Sequence, residues 1–201
     1  ERLVNTLPLK TFLDLASPLP AAVREARARL RWVDVLNLNV GVGRAGLSDR
    51  HWVYFPEAGY PFYRVGFTSN FATDLAPRGT TSMYIEVSRR PGETSDLPSL
   101  ERRCIDGLRR SGIMRSSDRV VEKLWIPIEC GYVVYDRERT PAVNTVQEHL
   151  RSQAVWSIGR WGGWKYSFME ETLLDGKRCA EEILGRKDVE RKASGPLQAL
   201  K

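Results

Sequence analysis

The chain has 201 residues, of which 31 are Lys or Arg and 25 are Asp or Glu, so its formal net charge is +6. Hydrophobic residues make up 42% of the sequence, which suffices for one good-sized core, and no apolar run approaches the roughly 20 residues that span a bilayer. Because basic and acidic residues are interspersed, we expect neither a nucleic-acid nor a membrane partner, although a local excess of Arg would suit a small anionic ligand.

The cysteines and histidines give no sign of a metal site. Cys104, Cys130 and Cys179 are odd in number and lack the paired spacing of a zinc site or a disulfide framework. His51 and His149 are isolated in the sequence. We therefore expect no metal ligands and a reducing, cytoplasmic setting.

The first half of the chain is predicted to be rich in strands. Residues 1–9 read as a short strand followed by a turn, and the apolar spacing over residues 21–31 predicts a helix. Alternating apolar and polar residues then predict four strands, at residues 32–43, 52–55, 62–69 and 82–88.

The second half alternates helices with strands. Asp96, Pro98 and Gly112 are the start and stop signals of one helix. Further predicted elements are strands at 118–128 and 132–135 and helices at 142–153 and 168–184. The sequence thus predicts an α+β fold, in which an antiparallel or mixed sheet of about six strands carries helices on one face.

A G-x-G-x-x-G pattern follows the strand at residues 32–43. Gly41, Gly43 and Gly46 match the glycine spacing of a dinucleotide-binding loop. Pyrophosphate binding also needs a helix that begins at the last glycine, but only a short polar link to the next strand follows. We interpret this pattern as a hairpin loop.

The segment GRWGGWKYSFME (159–170) is a more specific signal. Its three glycines would let the backbone approach a flat ligand, and its tryptophans could wall a planar site. Ser167 and Glu170 have the spacing of a capping box that opens the last helix, whose N-terminus would attract anions or carbonyl oxygens. The alternative is a tight structural turn packed by tryptophans.

The segment WVYFPEAGYPFYR (52–64) is the second cluster, a predicted hairpin dense in aromatic residues. Arg64 suits the recognition of a phosphate or carboxylate, and Tyr54 would approach it across the strand pair if the register holds. The alternative is that Arg64 pairs with a carboxylate such as Glu86 on a neighbouring strand.

Together these clusters resemble the flavin-dependent amine oxidase and protoporphyrinogen oxidase superfamily, and within it the UDP-galactopyranose mutases. The blocks that carry the resemblance are WVYFPEAGYPFYR (52–64), FTSNFATDLAP (67–77), YIEVS (84–88), Gly131-Tyr132 and GRWGGWKY (159–166). Ser-Phe-Met-Glu at 167–170 is closer to the oxidase-type ending than to that of the mutases.

The resemblance implies FAD as the cofactor and a role for ten residues. Flavin contacts would fall to the loop and helix start, at Gly159, Arg160, Trp161, Gly162, Met169 and Glu170. An anionic substrate would be gripped by Tyr54, Arg64, Tyr132 and Tyr166. No side chain is assigned a catalytic role, because the flavin carries the chemistry.

The resemblance also divides the chain by function. Its parts would be the end of an FAD-domain strand, a substrate-binding sheet domain, an FAD-contacting loop with the C-terminal helix, and a tail, at residues 1–10, 11–158, 159–186 and 187–201. An N-terminal FAD-binding segment would be the main partner. The isolated chain would then bind FAD weakly or not at all and could self-associate through its exposed flavin-side face.

Three functions stay open at this point. The chain can be the C-terminal part of a mutase-like flavoenzyme that acts on a nucleotide sugar, or part of an oxidase that transfers hydride to FAD. The third is a cofactor-free binding module. Arg64 beside Tyr54 favours the first, and the ending at 167–170 favours the second.

Overall fold

A computed structural model of the chain describes residues 1–72 and 74–185. The chain forms two compact units, one from Arg31–Val134 and one from Glu1–Leu30 together with the described residues from Tyr135 onwards. The functional boundaries predicted near residues 10, 158 and 186 stay predictions, and the tail predicted at 187–201 lies outside the described residues.

The unit Arg31–Val134 is built on a five-stranded antiparallel sheet with the strand order β3-β4-β5-β2-β6. The strands are β2 (Trp32–Val42), β3 (Trp52–Tyr54), β4 (Arg64–Gly66), β5 (Thr81–Arg89) and β6 (Val120–Val133). Helix α3 (Leu97–Arg110) begins as predicted, because the Asp96 side chain accepts a hydrogen bond from the Ser99 N–H.

One face of this sheet is buried against α3. Alternate residues of β2 and β5 point into a core that they share with the apolar stripe of the helix. Its central members are Leu36, Leu38, Val40, Val42, Met83, Ile85, Val87, Leu100, Cys104 and Leu108. The alternation of apolar and polar residues that predicted these strands therefore arises from a sheet with one covered face.

The opposite face presents two rows of side chains that cross all five strands. We call it the open face and define it by Tyr54, Arg64, Glu86, Asn37 and Ile126 in one row and by Trp52, Gly66, Tyr84, Asn39 and Leu124 in the other. Tyr54, Trp52, Leu124 and Ile126 are exposed on it.

The other unit combines a two-stranded parallel sheet with helices. Strand β1 (Leu3–Asn5) pairs with β7 (Val155–Ser157). The helices are α1 (Leu9–Leu15), α2 (Ala21–Arg29), α4 (Arg139–Ser152), α5 (Gly159–Gly162) and α6 (Met169–Ile183). Buried side chains of α2 and α4, such as Val23, Ala26, Val143 and Val146, form much of its interior.

The structure corrects several predicted elements. The turn after residue 5 leads into helix α1, which the short apolar spacing did not reveal, and β7 was missed because only three residues form it. The strand predicted at 62–69 shrinks to β4 and a 3₁₀ turn (Thr68–Asn70). The strands predicted at 118–128 and 132–135 are one strand, β6, interrupted by a bulge at Cys130, which has a φ of 54°.

The glycine pattern at Gly41, Gly43 and Gly46 lies in a turn with no helix after it, as expected, but the turn is not a hairpin loop, because β2 and β3 are not neighbours in the sheet. Strand β2 ends at Val42, and the residues that follow are bends that lead to β3. Without a helix at this point, the backbone N–H groups lack the arrangement that pyrophosphate binding requires.

An ion pair fixes this turn to the start of β6. The Arg44 guanidinium donates two hydrogen bonds of 2.8 Å to the Asp118 carboxylate, which also accepts one from the Arg115 N–H at 2.7 Å. The Arg44 bonds, and then the Arg115 N–H, lower the pKa of Asp118 from its ordinary value of 3.8 to about 2.

The pH dependence of stability should report this ion pair. A carboxylate with a lowered folded-state pKa stabilises the fold above its ordinary pKa, and this contribution is lost as the pH falls towards about 2. Asp118→Asn should therefore lower the melting temperature by a few degrees at pH 7, with the difference from the wild type vanishing near pH 2. Thermal melts of both proteins at several pH values between 7 and 2 measure this difference in melting temperature. Asp49→Asn, at an exposed ion pair, is the control, and a difference independent of pH would contradict the assignment.

Candidate functional site

Three of the four predicted substrate residues meet on the open face. Tyr54 lies directly across the strand pair from Arg64, which confirms the expected register. The Tyr54 hydroxyl is 3.3 Å from Arg64 Nη1, and the Tyr132 hydroxyl is 3.2 Å from Arg64 Nη2. Tyr132 lies near the end of β6, after the bulge. Two hydroxyls and a guanidinium therefore converge at one place.

Glu86 completes this cluster. It is the register partner of Arg64 on β5, and its carboxylate accepts hydrogen bonds from Arg64 Nη2 and from the Tyr63 hydroxyl. The alternative pairing considered from the sequence is thus present. The Glu86 side chain is 9% exposed, whereas that of Arg64 is 20% exposed, so a ligand can reach the ion pair mainly from the Arg64 side.

The ionisation of the cluster follows from these contacts. Burial lowers the pKa of Arg64, but its bonds with Glu86 and Tyr54 raise it more, so the guanidinium stays charged. Burial and then the bond to Glu86 raise the pKa of Tyr63, which keeps its hydroxyl protonated as a donor. The site therefore holds a fixed cation whose charge is partly compensated by one carboxylate.

Tyr84 is a neighbour that sequence reasoning missed. Its ring lies over Gly66 on β4, where an added Cβ would be 2.1 Å from a ring carbon. The Arg64 guanidinium carbon lies 5.8 Å from the centroid of the Tyr84 ring and 5.8 Å from that of Tyr54. The period-2 spacing of Tyr84 and Glu86 could have placed both beside Arg64, since strand partners share a face.

The predicted flavin loop is a single helical turn, α5, and not an irregular loop. Gly159 has a φ of 76°, which other residues adopt at a cost. An added Cβ on Gly162 would lie 2.8 Å from the Asn5 carbonyl oxygen, and one on Gly163 would lie 2.7 Å from the Gly159 carbonyl oxygen. Trp164 is fully buried. Packing within this unit thus explains part of the glycine and tryptophan content.

The same turn borders a cavity of about 600 Å³. The walls are mostly apolar, and they include Thr6, Gly159, Arg160, Trp161, Ser167, Phe168, Met169, Thr172 and Leu173. Trp161, at 40% exposed, forms one wall, while Phe168 and Met169 are 64% and 85% exposed. Four of the six predicted flavin residues line or border one open, apolar recess, namely Gly159, Arg160, Trp161 and Met169.

The start of α6 differs from the prediction. Phe168, and not Ser167, is the N-cap residue, and no side chain caps the helix. The Ser167 hydroxyl instead pairs with the Thr172 hydroxyl at 3.1 Å, so the predicted capping box with Glu170 is wrong. Because side chains leave the first-turn N–H groups uncapped, these groups can donate hydrogen bonds to a ligand oxygen.

Tyr166 lies in the second unit beside Arg160. The Arg160 guanidinium carbon is 4.9 Å from the centroid of the Tyr166 ring, and its Nη1 donates to the Ser167 carbonyl oxygen at 2.8 Å. The Tyr166 N–H donates to the Tyr135 hydroxyl at 2.8 Å. Tyr166 is 61% exposed.

The described part of the chain contains neither a candidate metal site nor a candidate membrane-spanning helix. Within residues 1–72 and 74–185, no group of three His, Cys, Asp or Glu side chains could hold a metal ion. None of the helices described is long and apolar enough to cross a membrane.

Comparison with known proteins supports the resemblance. No family model matches the chain. A solved structure of reduced UDP-galactopyranose mutase superposes with a TM-score of 0.82 at 25% identity, over 92% of this chain and 41% of that one. A putative protoporphyrinogen oxidase from Exiguobacterium sp. 255-15 superposes with a TM-score of 0.66 at 14% identity, over 90% of this chain and 40% of that one.

An oxidoreductase from Methanosarcina mazei superposes with a TM-score of 0.58 at 12% identity, over 90% of this chain and 42% of that one. The chain therefore spans about 40% of the length of each of these three proteins. The resemblance to UDP-galactopyranose mutase and protoporphyrinogen oxidase-like proteins that the motifs indicated is confirmed, with a shared α+β fold over nearly the whole of this chain.

Proposed function

We propose that this chain is the substrate-side and flavin-contacting part of an FAD-dependent flavoenzyme that acts on a nucleotide sugar or a related anionic substrate. The observation that carries the proposal is the convergence of Tyr54 and Tyr132 on Arg64, in a fold that superposes on UDP-galactopyranose mutase at 25% identity. A charged guanidinium flanked by two hydroxyl donors is suited to a diphosphate.

Each residue of the cluster has a role in this proposal. Arg64 supplies the charge, and Tyr54 and Tyr132 donate to the remaining phosphate oxygens. Glu86 compensates the charge in the absence of substrate and holds Nη2, while Nη1 faces Tyr54 at the exposed edge. Tyr166, which belongs to the other unit, stays a predicted substrate residue. The flavin, when bound, supplies a nucleophilic or hydride-accepting ring, so the side chains bind and orient the substrate.

The recess beside α5 fits the flavin. Trp161 offers an exposed aromatic wall, and Gly159 lines the recess without a side chain. The uncapped first turn of α6, at Met169 and Glu170, would donate backbone N–H groups to flavin or ribityl oxygens. The apolar walls and the free donors support this assignment together.

The exposed two-stranded sheet is an argument for a partner segment that covers it. Parallel strands normally lie in larger sheets that are covered on both faces. Leu3 and Val4 of β1 are 50% and 45% exposed, and Leu173 of α6 is 75% exposed. We propose that an FAD-binding segment of the parent protein adds strands to β1–β7 and covers this apolar surface; failing that, the same surface would drive self-association.

Flavin content tests the proposal. The 201-residue chain alone should purify colourless, because it supplies only the recess and one helix end. Protein expressed from the whole parent reading frame should be yellow, with about one FAD per chain released by acid. Stoichiometric FAD in the isolated chain would contradict the division of the site, and its absence from both proteins would favour a cofactor-free binding module.

An oxidase is the second candidate, and one observation favours it. Glu86 already compensates the charge of Arg64, which suits a less charged substrate than a diphosphate. Anaerobic mixing distinguishes the two functions: an oxidase substrate bleaches the oxidised flavin, whereas a mutase converts its substrate only after the flavin has been reduced.

A further inference from the structure

Two asparagines occupy the centre of the open face. Asn37 and Asn39 lie on β2, which has β5 on one side and β6 on the other. Asn37 is the register partner of Glu86, and Asn39 is that of Tyr84. Asparagine is depleted in strands, and least expected in a central one, because its amide competes for backbone hydrogen bonds and packs poorly.

Neither amide is fully satisfied by the protein. Among the described residues, Asn37 Oδ1 and Asn39 Nδ2 are buried and make no hydrogen bond, and the same holds for Arg64 Nε in the row of Asn37. Buried polar atoms without partners destabilise a fold, because they lose their hydrogen bonds to water and gain none from the protein. The two asparagines thus break the strand rules without a compensating contact, which is typical of residues retained for binding.

The surroundings indicate the kind of ligand. The orphan atoms comprise one acceptor, on Asn37, and donors on Asn39 and Arg64. A sugar hydroxyl both donates and accepts, so a pair of adjacent hydroxyls can satisfy both amides. On the far side of the asparagines, Ile126 and Leu124 of β6 are 44% and 57% exposed and offer an apolar surface to the C–H face of a ring.

The spacing agrees with a sugar next to a phosphate. Neighbouring strands lie about 4.8 Å apart, so β2 lies roughly 10 Å from β4 across the sheet. The side chains of Arg64 on β4 and of the two asparagines on β2 extend over part of these roughly 10 Å. A hexose attached to a diphosphate held by Arg64 can therefore reach across Glu86 and Tyr84 to the two amides.

We infer that Asn37 and Asn39 form a hydroxyl-recognition site that selects the sugar of a nucleotide sugar. This inference rests on the proposed function, since Arg64 must hold the diphosphate. Partial exposure of both residues lets the amides turn either end towards a ligand, and the ligand then satisfies the atoms that the protein leaves unpaired.

The test compares two probes, UDP and UDP-galactose, titrated into the isotope-labelled chain and followed by backbone amide signals. UDP-galactose should bind about tenfold more tightly than UDP, because it adds two hydroxyl contacts. In Asn37→Val and Asn39→Val the ratio of the two dissociation constants should fall towards one, while the affinity for UDP stays unchanged. Asn144→Ala, at an exposed position of α4, is the matched control and should keep the preference.

Melting temperatures separate binding from structure. Valine suits a central strand and removes an unsatisfied amide, so both variants should melt at or above the wild-type temperature. A lower melting temperature with an intact sugar preference would show a structural role and overturn the inference. UDP binding without any preference for UDP-galactose would overturn the inference alone. Binding of neither probe would overturn the proposed function, and the inference with it.

Discussion

Replacing Arg64 with alanine is expected to raise the dissociation constant for UDP roughly 10- to 150-fold. A charge-assisted hydrogen bond to an anion is worth about 1.5–3 kcal/mol, and Arg64 is the cation at the centre of the open-face cluster. FAD content of the parent protein should not change, because the predicted flavin residues lie in the other unit. Calorimetric titration of UDP measures the first quantity, and absorbance of the acid extract measures the second.

The alanine variant also removes the partner of Glu86, whose side chain is 9% exposed. An unpaired carboxylate at this position should lower the free energy of unfolding by about 1–3 kcal/mol. The double variant Arg64→Gln/Glu86→Gln separates the two effects, since it removes both charges and keeps hydrogen-bonding groups. It should recover stability and still bind UDP weakly. Wild-type affinity in the double variant would reduce Arg64 to a structural partner of Glu86.

The second large effect is expected at Gly162. An added methyl group would lie 2.8 Å from the Asn5 carbonyl oxygen and 3.1 Å from the Ser157 hydroxyl, both in the β1–β7 pair. The obstacle is backbone, so the strands must shift, and such overpacking costs about 1–3 kcal/mol. Gly162→Ala should therefore lower the melting temperature by roughly 3–10 °C.

Gly176 provides the matched control. It lies within α6, where an added Cβ would meet no atom within 4 Å. Alanine is the better helix former, so Gly176→Ala should raise stability by about 0.5–1 kcal/mol. If Gly162→Ala were equally harmless, the tight packing of α5 against β1 would be wrong, and the glycines of this turn would have to be explained by ligand approach alone.

The sequence predicted the sheet well because its long strands have one covered face. Strands β2 and β5 alternate over most of their length, and α3 carries a cap and a proline at its start and is followed by a glycine. Each signal is local, so neighbouring residues suffice to show it. The Tyr54–Arg64 approach was also predictable, since a short hairpin limits the register to a few choices.

What the sequence could not show depends on partners that are distant in the chain. Strand β7 exists because it pairs with β1, some 150 residues away, and three residues carry no periodic signal. The capping box at Ser167 failed because Thr172 competes for the Ser167 hydroxyl. Glu86 entered only as an alternative partner for Arg64, because opposite charges on separate strands leave open which pairs form.

The proposed function depends most directly on where UDP binds. Titration into the labelled chain is predicted to shift backbone amide signals around Tyr54, Arg64 and Tyr132, and to leave the α3 side of the sheet unchanged. The shifts should disappear in Arg64→Gln/Glu86→Gln. An unchanged spectrum at millimolar UDP, or shifts confined to α3 and its core, would contradict the assignment of the open face as the substrate side.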